Sequence, residues 1–198
     1  MRMLKLFTLL LTFLVSALPV AEASPVTARI PSGSGILLIN KLPAGINFPI
    51  IIYKEPSLGR LAELEPGRLP SLSQSISSPD LSVPVIVTLK KSGWYKIIYG
   101  DGEREGWIEN QPSYKFIKWA ELLRGRSVSL IGGLRKEFYT LRRKATVSSE
   151  QIETVEKGKP FTPLHIDGDW MLVTSNSRAQ GWLRWKDDNS RLVISFKL

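Results

Sequence analysis

The sequence predicts an all-β protein built from two tandem, small, partly open barrels. A tryptophan-led apolar strand, a polar turn and a Gly-Trp-aliphatic strand occur twice along the chain. Trp94 and Trp107 lie 13 positions apart, and Trp170 and Trp182 lie 12 apart. Short apolar runs separated by Gly, Pro or Asp surround both hairpins, a pattern typical of antiparallel sheets rather than βαβ units. The duplicated hairpin therefore indicates two copies of one β-rich unit.

The first 23 residues have the layout of a secretory signal peptide. A positively charged start is followed by an apolar run at 6–18 and by the small-x-small site Ala21-Glu22-Ala23. The apolar run is too short for a comfortable membrane span. We therefore expect a secreted, periplasmic chain that does not span the membrane once residues 1–23 are removed. An uncleaved anchor is the alternative.

The composition limits both the chemistry and the partners. The chain contains no cysteine, which excludes disulfides, thiolate catalysis and cysteine–metal sites. Its net charge is +9, and +8 remains when Arg2, Lys5 and Glu22 are removed with the signal peptide. Such a surface favours anionic partners, or it only keeps the protein in solution. Because the chain is predicted to be exported, we do not expect nucleic acid as a partner.

The first copy is predicted over 36–119, after a Ser-, Pro- and Gly-rich linker at 24–35. Residues 68–82 contain six serines and no usable hydrophobic period, so we expect a long surface loop there. The expected strands come in this order: 36–39, 48–53, 61–64, 83–89, the two strands of the Gly-Trp hairpin, and 114–119.

The second copy is predicted over 128–198, after a linker at 120–127. The turn glycine and the next proline are 17 positions apart in the first copy but 2 apart in the second. The first copy therefore carries a net insertion of 15 residues, located within 68–82, which a shared scaffold tolerates in a surface turn. The expected strands repeat the earlier order at 128–131, 138–141, 152–155, 160–164, the second hairpin, and 191–196.

These motifs resemble the bacterial SH3-like domain (SH3b). They stand in this chain as Ile52-Tyr53-Lys54-Glu55-Pro56-Ser57, Leu61-Ala62-Glu63-Leu64-Glu65-Pro66-Gly67, Gly93-Trp94-Tyr95-Lys96-Ile97 and Gly106-Trp107-Ile108. The resemblance covers 46–110 and, less fully, 134–186, where Tyr139 lacks the following Pro-Ser. It implies a five- to six-stranded partly open barrel in the envelope that recognises peptidoglycan or a protein partner. Such domains often accompany a cell-wall hydrolase domain, which we do not expect here because the two copies occupy the mature chain.

Seven aromatic side chains are the candidate binding residues. Large aromatics on alternating strands normally face inward, so we expect the four tryptophans of the hairpins to pack in the cores. Two tyrosines of the first hairpin share the opposite strand face, and we expect them to point outward as better ligand candidates, alongside one tyrosine from the preceding motif. The complete set is Tyr53, Trp94, Tyr95, Tyr99, Trp107, Trp170 and Trp182.

His165 is the only histidine and suggests a hydrolase as the rival function. A hydrolase would need a nucleophile beside this base, and a metal would need further converging ligands. The neighbouring Asp167-Gly168-Asp169 is ordinary hairpin-turn chemistry. We therefore expect no catalytic residue, no metal and no cofactor.

Basic clusters are the remaining candidates for ligand contact. They are Lys90-Lys91, Arg124/Arg126, Arg135-Lys136 and Arg142-Arg143-Lys144. They are either solvated loop charges or one face for an anionic polymer, whose binding would weaken as salt rises. The sequence thus predicts a non-enzymatic SH3-like module that binds peptidoglycan peptides or an envelope protein. A small exported hydrolase and a purely structural adaptor remain the alternatives.

Overall fold

The structure is a computed structural model that describes residues 29–40, 49–72, 75–77, 82–100, 103–175 and 177–198. The expected signal peptide lies outside the described residues. The all-β fold class is confirmed, because the described residues form fifteen strands in three sheets. The described residues also include the short helix α1 and 3-10 turns, at Trp119–Leu123, Pro66–Arg68 and Lys136–Tyr139. No helix within the described ranges is long and apolar enough to cross a membrane.

The first sheet contains seven antiparallel strands in the order β3-β2-β7-β6-β5-β1-β8. Its two outer strands, β3 and β8, do not pair with each other in this order, so the sheet is not closed into a barrel. The strands are β1 (Gly35–Asn40), β2 (Ile50–Glu55), β3 (Leu58–Leu64), β5 (Ser82–Lys91), β6 (Trp94–Gly100), β7 (Arg104–Glu109) and β8 (Tyr114–Lys118).

The second sheet repeats part of this arrangement. Its order is β11-β10-β14-β13-β12, which matches β3-β2-β7-β6-β5 strand for strand. Two register shifts also match, because β2–β3 and β10–β11 each contain one, as do β5–β6 and β12–β13. A third shift, between β6 and β7, has no counterpart between β13 and β14. The strands are β10 (Thr140–Arg142), β11 (Gln151–Thr154), β12 (Thr162–Asp167), β13 (Trp170–Thr174) and β14 (Gln180–Arg184).

The third sheet joins the inserted loop to the second half of the chain. It consists of β4 (Ile76–Ser77), β15 (Ile194–Lys197) and β9 (Val128–Leu130), with β4 parallel and β9 antiparallel to β15. The loop at 68–82 was expected to lie on the surface, and this expectation is wrong for three apolar positions. Leu69 is buried in the core of the first sheet, whereas Leu72 and Ile76 are buried in a core that they share with the second half of the chain.

Two apolar cores lie on opposite faces of the first sheet. Leu37, Val85 and Ile97 belong to the core enclosed by the first sheet alone. Ile36 and Ile86, their strand neighbours with opposite parity, belong to a larger core that continues into the second half of the chain. Residues 36–39 of β1 and 85–87 of β5 therefore have a core on both faces, which explains why these two runs are apolar without a break.

Trp119, at the start of α1, links elements around the larger core. Its ring centroid lies 5.5 Å from that of Trp185 and 6.3 Å from that of Phe196. Its indole Nε1 donates a buried hydrogen bond of 2.7 Å to the carbonyl oxygen of Ser32. Because a buried indole N–H needs an acceptor, this contact ties the 29–35 segment to the core.

The described part of the segment expected to be a linker is packed against residues 185–192. The backbone N–H of Ser32 donates to the carbonyl of Ser190, and Arg29 forms a 2.7 Å ion pair with Asp187. Burial alone raises the pKa of the Asp187 carboxyl, but hydrogen bonds from the backbone N–H groups of Arg191 and Asn189 and from Arg29 outweigh it. The pKa of Asp187 is consequently lowered.

Candidate functional site

Tyr53, Trp94 and Trp107 lie on the face of the first sheet that points away from its own core, which we call the outer aromatic face. The rings of Tyr53 and Trp94 meet edge-on, with centroids 5.4 Å apart and planes at 88°. Tyr53 is the one residue of β2 that pairs with β7, and its partner there is Trp107. Tyr53 and Trp94 are half-buried, whereas Trp107 is only 2% exposed. The strand register thus brings together three of the seven candidate residues.

The expected orientation of β6 is wrong. Tyr95 is 6% exposed and stacks on Phe116 in the core of the first sheet, with ring centroids 5.7 Å apart. Trp94 points the other way, on the face that also carries Lys96. The sequence did contain a signal for this orientation. A lysine side chain rarely faces a core, and Lys96 lies on the same strand face as Trp94.

Tyr99 does not join the outer aromatic face. It is half-buried and packs against the core of the first sheet. The guanidinium carbon of Arg104 lies 5.4 Å from its ring centroid, a distance typical of a cation–π contact. Tyr95 and Tyr99 are therefore both placed on the core side, away from the site that contains Tyr53.

The expectation that all four hairpin tryptophans pack in the cores is also wrong. Trp94, Trp170 and Trp182 are half-exposed, and none of them belongs to either core. Trp107 is buried, but on the outer face rather than in a core. In both hairpins other residues, such as Met171, point toward the core. Because side chains alternate along a strand, the neighbouring indoles point to the opposite face.

Lysines surround the indoles of the outer aromatic face. The ammonium nitrogen of Lys91 lies 5.0 Å from the centroid of Trp107. Lys96, opposite Trp107 in the register, forms a 2.7 Å ion pair with Glu105. The hydrogen bond from Lys96 lowers the pKa of Glu105, although partial burial of the carboxyl opposes this shift. Lys91 has no carboxylate partner among the described residues, so it presents an uncompensated positive charge beside the aromatic rings.

The second sheet lacks the tyrosine of this arrangement. Arg142 is its equivalent of Tyr53, because it is the one residue of β10 that pairs with β14, opposite Trp182. Trp182 instead meets His165 edge-on, with ring centroids 6.2 Å apart. Trp170 lies opposite Arg184 in the register of β13 and β14. Both sheets carry two indoles on this face, although Trp107 of the first sheet is buried, and only the first sheet adds a tyrosine ring to them.

His165 lies on β12, exposed at the surface. Within the described ranges, no serine hydroxyl or carboxylate forms a hydrogen bond with it. The same residues contain no group of three or more His, Asp or Glu side chains placed to hold a metal ion. A polar chain does run from Ser175 through Ser177 to Glu153, with both oxygen–oxygen distances 2.7 Å, beside a cavity of about 130 Å³. The proton acceptor at the end of this chain is the Glu153 carboxylate, and neither histidine nor lysine is part of the chain.

The basic clusters are divided between paired and unpaired charges. Arg143 is paired with Glu150, and Arg135 contacts Glu137 and Asp188. The Lys90 ammonium instead lies 5.6 Å from the ring centroid of Tyr95. A single basic face remains a prediction, because the paired arginines are partly neutralised by their own carboxylates.

Comparison with known proteins gives limited information. No protein-family profile matches the chain, and no curated protein matches it. Among solved structures, the chain is similar to NlpC1 from Trichomonas vaginalis, with 13% sequence identity and a TM-score of 0.33. The alignment covers 81% of this chain and 51% of the NlpC1 chain, so this chain matches about half the length of that protein. A likeness this weak carries no argument about site or function.

Proposed function

We propose that this chain is an exported, non-enzymatic SH3-like module that binds cell-envelope material through its outer aromatic face. The ligand is a peptidoglycan peptide or a protein partner. The observation that carries the proposal is the edge-on pair of Tyr53 and Trp94, which is partly exposed and belongs to neither core. The SH3b resemblance supports it, because Tyr53 and Trp94 both belong to the motifs that carry that resemblance.

The size of the aromatic surface is sufficient for measurable binding. A fully buried aromatic side chain contributes about 150–250 Å² of surface. Covering the exposed parts of Tyr53 and Trp94, about a third of each side chain at most, would remove up to roughly 100–170 Å² from water, or about 2.5–4 kcal/mol at about 25 cal/mol per Å², before the entropy cost of association. The adjacent Lys91 would add attraction for carboxylates of a peptide. Loss of one ring should therefore weaken binding about tenfold.

Sedimentation with purified cell-wall sacculi tests the proposal. The mature protein should sediment with sacculi at both low and high salt, since stacking on aromatic rings is not screened. Trp94→Ala should weaken retention about tenfold. Trp170→Ala, at the equivalent place on the second sheet, is the matched control and should change retention by less than twofold. Equal effects of the two substitutions, or complete release of the wild-type protein by salt, would contradict a site on this face. A protein partner is the ligand if the wild-type protein does not sediment at all.

The non-enzymatic part of the proposal has its own test. It is supported by the surroundings of His165, which packs edge-on against Trp182 rather than beside a hydrogen-bonded nucleophile. Incubating the protein with sacculi should release no soluble fragments beyond a buffer control. Release that disappears in His165→Ala would establish the hydrolase instead.

A further inference from the structure

A groove of about 740 Å³ lies beside the third sheet, separate from the outer aromatic face. Its volume lies within the range of about 300–1,000 Å³ that is usual for small-molecule sites. Three distant parts of the chain form its walls: Ser75 from the inserted loop, the 126–129 segment entering β9, and the 195–197 segment of β15. The turn containing Gly158 and Pro160 lines the groove as well.

The groove exists in this form because of the insertion. Strand β4 comes from the 68–82 loop and pairs with β15, and the backbone N–H of Phe196 donates a 2.8 Å hydrogen bond to the carbonyl of Ser75. In the second copy the corresponding Gly158 and Pro160 are only 2 positions apart, too few for such a strand. The segment that breaks the repeat therefore also builds one wall of the groove.

Hydroxyl groups and positive charges dominate the lining. The described lining residues include no aspartate or glutamate. The hydroxyls of Ser129 and Ser195 lie 3.1 Å apart, and each can still donate or accept toward a ligand. Repeated hydroxyls suit a ligand that itself carries many hydroxyls. The lining hydroxyls and cations are Ser75, Ser127, Ser129, Ser195, Arg126 and Lys197.

Arg126 is held in place for an oxyanion. Its Nε donates a 2.6 Å hydrogen bond to the carbonyl of Leu122, and its Nη1 donates a 3.2 Å bond to the carbonyl of Lys197. A guanidinium has five N–H groups, so three remain for a ligand. Arg126 forms no ion pair with a carboxylate in the described part of the chain. A fixed, unpaired guanidinium is the arrangement that favours bidentate binding of a carboxylate.

We propose that this groove binds a carboxylate-bearing glycan. The carboxylate pairs with Arg126, and the ring hydroxyls form hydrogen bonds with serines such as Ser129 and Ser195. The apolar side of a sugar ring lies against the exposed Pro160. This site is independent of the outer aromatic face, so the failure of either proposal would leave the other unaffected.

Calorimetric titration of the mature protein with three probes tests the assignment. Trigalacturonic acid supplies both carboxylates and ring hydroxyls, maltotriose supplies hydroxyls alone, and triglutamate supplies carboxylates alone. Trigalacturonic acid should bind at least tenfold more tightly than either of the other probes. Arg126→Gln should weaken its binding at least tenfold, and Arg124→Gln, the same charge change on an exposed neighbour, should change it by less than twofold.

Further variants keep the test decisive if Arg126→Gln unfolds the protein. The double variant Ser127→Ala, Ser129→Ala should weaken trigalacturonic acid binding at least threefold, and Trp94→Ala should leave it unchanged. Equal binding of triglutamate, equal loss in Arg124→Gln, or loss in Trp94→Ala would each overturn the proposal. So would the absence of any binding by trigalacturonic acid.

Discussion

Replacing the glycine of either Gly-Trp pair by alanine should destabilise the protein through a steric clash. A Cβ atom added at Gly181 would lie 2.7 Å from the Leu141 Cγ and 2.8 Å from the carbonyl oxygen of Arg142. A Cβ at Gly106 would meet the Ile52 side chain at the equivalent place, and it would also lie 3.1 Å from the ring of Tyr99. Neither glycine has a positive φ, so the cost comes from space rather than from backbone conformation.

The magnitude follows from how little the neighbours can move. Leu141 and Ile52 are fully buried, and the Arg142 carbonyl belongs to the strand that crosses there. Forcing extra atoms into such a packed site costs about 1–3 kcal/mol. Removing a glycine also reduces the entropy of the unfolded chain, which offsets about 0.4–1 kcal/mol of this loss. We expect a net loss of about 1–2 kcal/mol for Gly106→Ala and for Gly181→Ala.

Urea denaturation measures this loss directly, with Gly132→Ala as the matched control. A Cβ at Gly132 would meet nothing within 4 Å, and its φ is not positive. The control should therefore be neutral or slightly stabilising. If Gly106→Ala and Gly181→Ala were no less stable than Gly132→Ala, the close approach of β7 to β2 and of β14 to β10 at these glycines would be refuted.

Three further substitutions test the packing. Ile76→Ala should lower the free energy of unfolding by about 2–5 kcal/mol in urea titrations, whereas a surface loop would show less than about 0.5 kcal/mol. Trp119→Phe leaves the Ser32 carbonyl without its hydrogen-bond donor, which costs about 1–3 kcal/mol of stability. The thermal midpoint should therefore fall by several degrees, and an unchanged midpoint would show that this hydrogen bond does not stabilise the fold. Because the folded pKa of Asp187 is lowered, its contribution is present above its unfolded pKa of about 3.9 and disappears as pH falls through the folded pKa. Asp187→Asn should thus be less stable than wild type at pH 7 and approach it as the pH falls below the unfolded pKa of Asp187, and a gap independent of pH would contradict this origin.

The fold class could be predicted because its signals are local. Turn glycines and apolar alternation set each hairpin within about fifteen residues, and the same pattern occurs twice. Both faces of β6 carry aromatic residues, so aromatic content does not indicate which face points to the core. The lysine at position 96 was the residue that could indicate it, because its charge disfavours the core for the face that it shares with Trp94. A preference for inward indoles gave the wrong answer there because the core of the first sheet is filled by Tyr95 and Ile97.

The inserted loop shows what the sequence could not reveal. Its buried residues are spaced irregularly, and Ile76 is placed by pairing with β15, more than a hundred positions away. The local spacing of apolar residues gives no information about contacts between segments so far apart in sequence. The candidate site was only partly foreseeable for a similar reason. Tyr53 and Trp94 were both identified as candidates, but their contact depends on the pairing of β2 with β7 and of β7 with β6.

The most direct test of a ligand site on the outer aromatic face is chemical-shift mapping of the mature protein with soluble muropeptides. The account predicts that the largest chemical-shift changes occur at Tyr53, Trp94 and Lys96. The signals of the Tyr95 amide and the Trp94 indole N–H should shift in parallel and reach saturation at the same ligand concentration. Shifts confined to the second sheet or to the groove at Arg126, with the Trp94 indole unmoved, would contradict it.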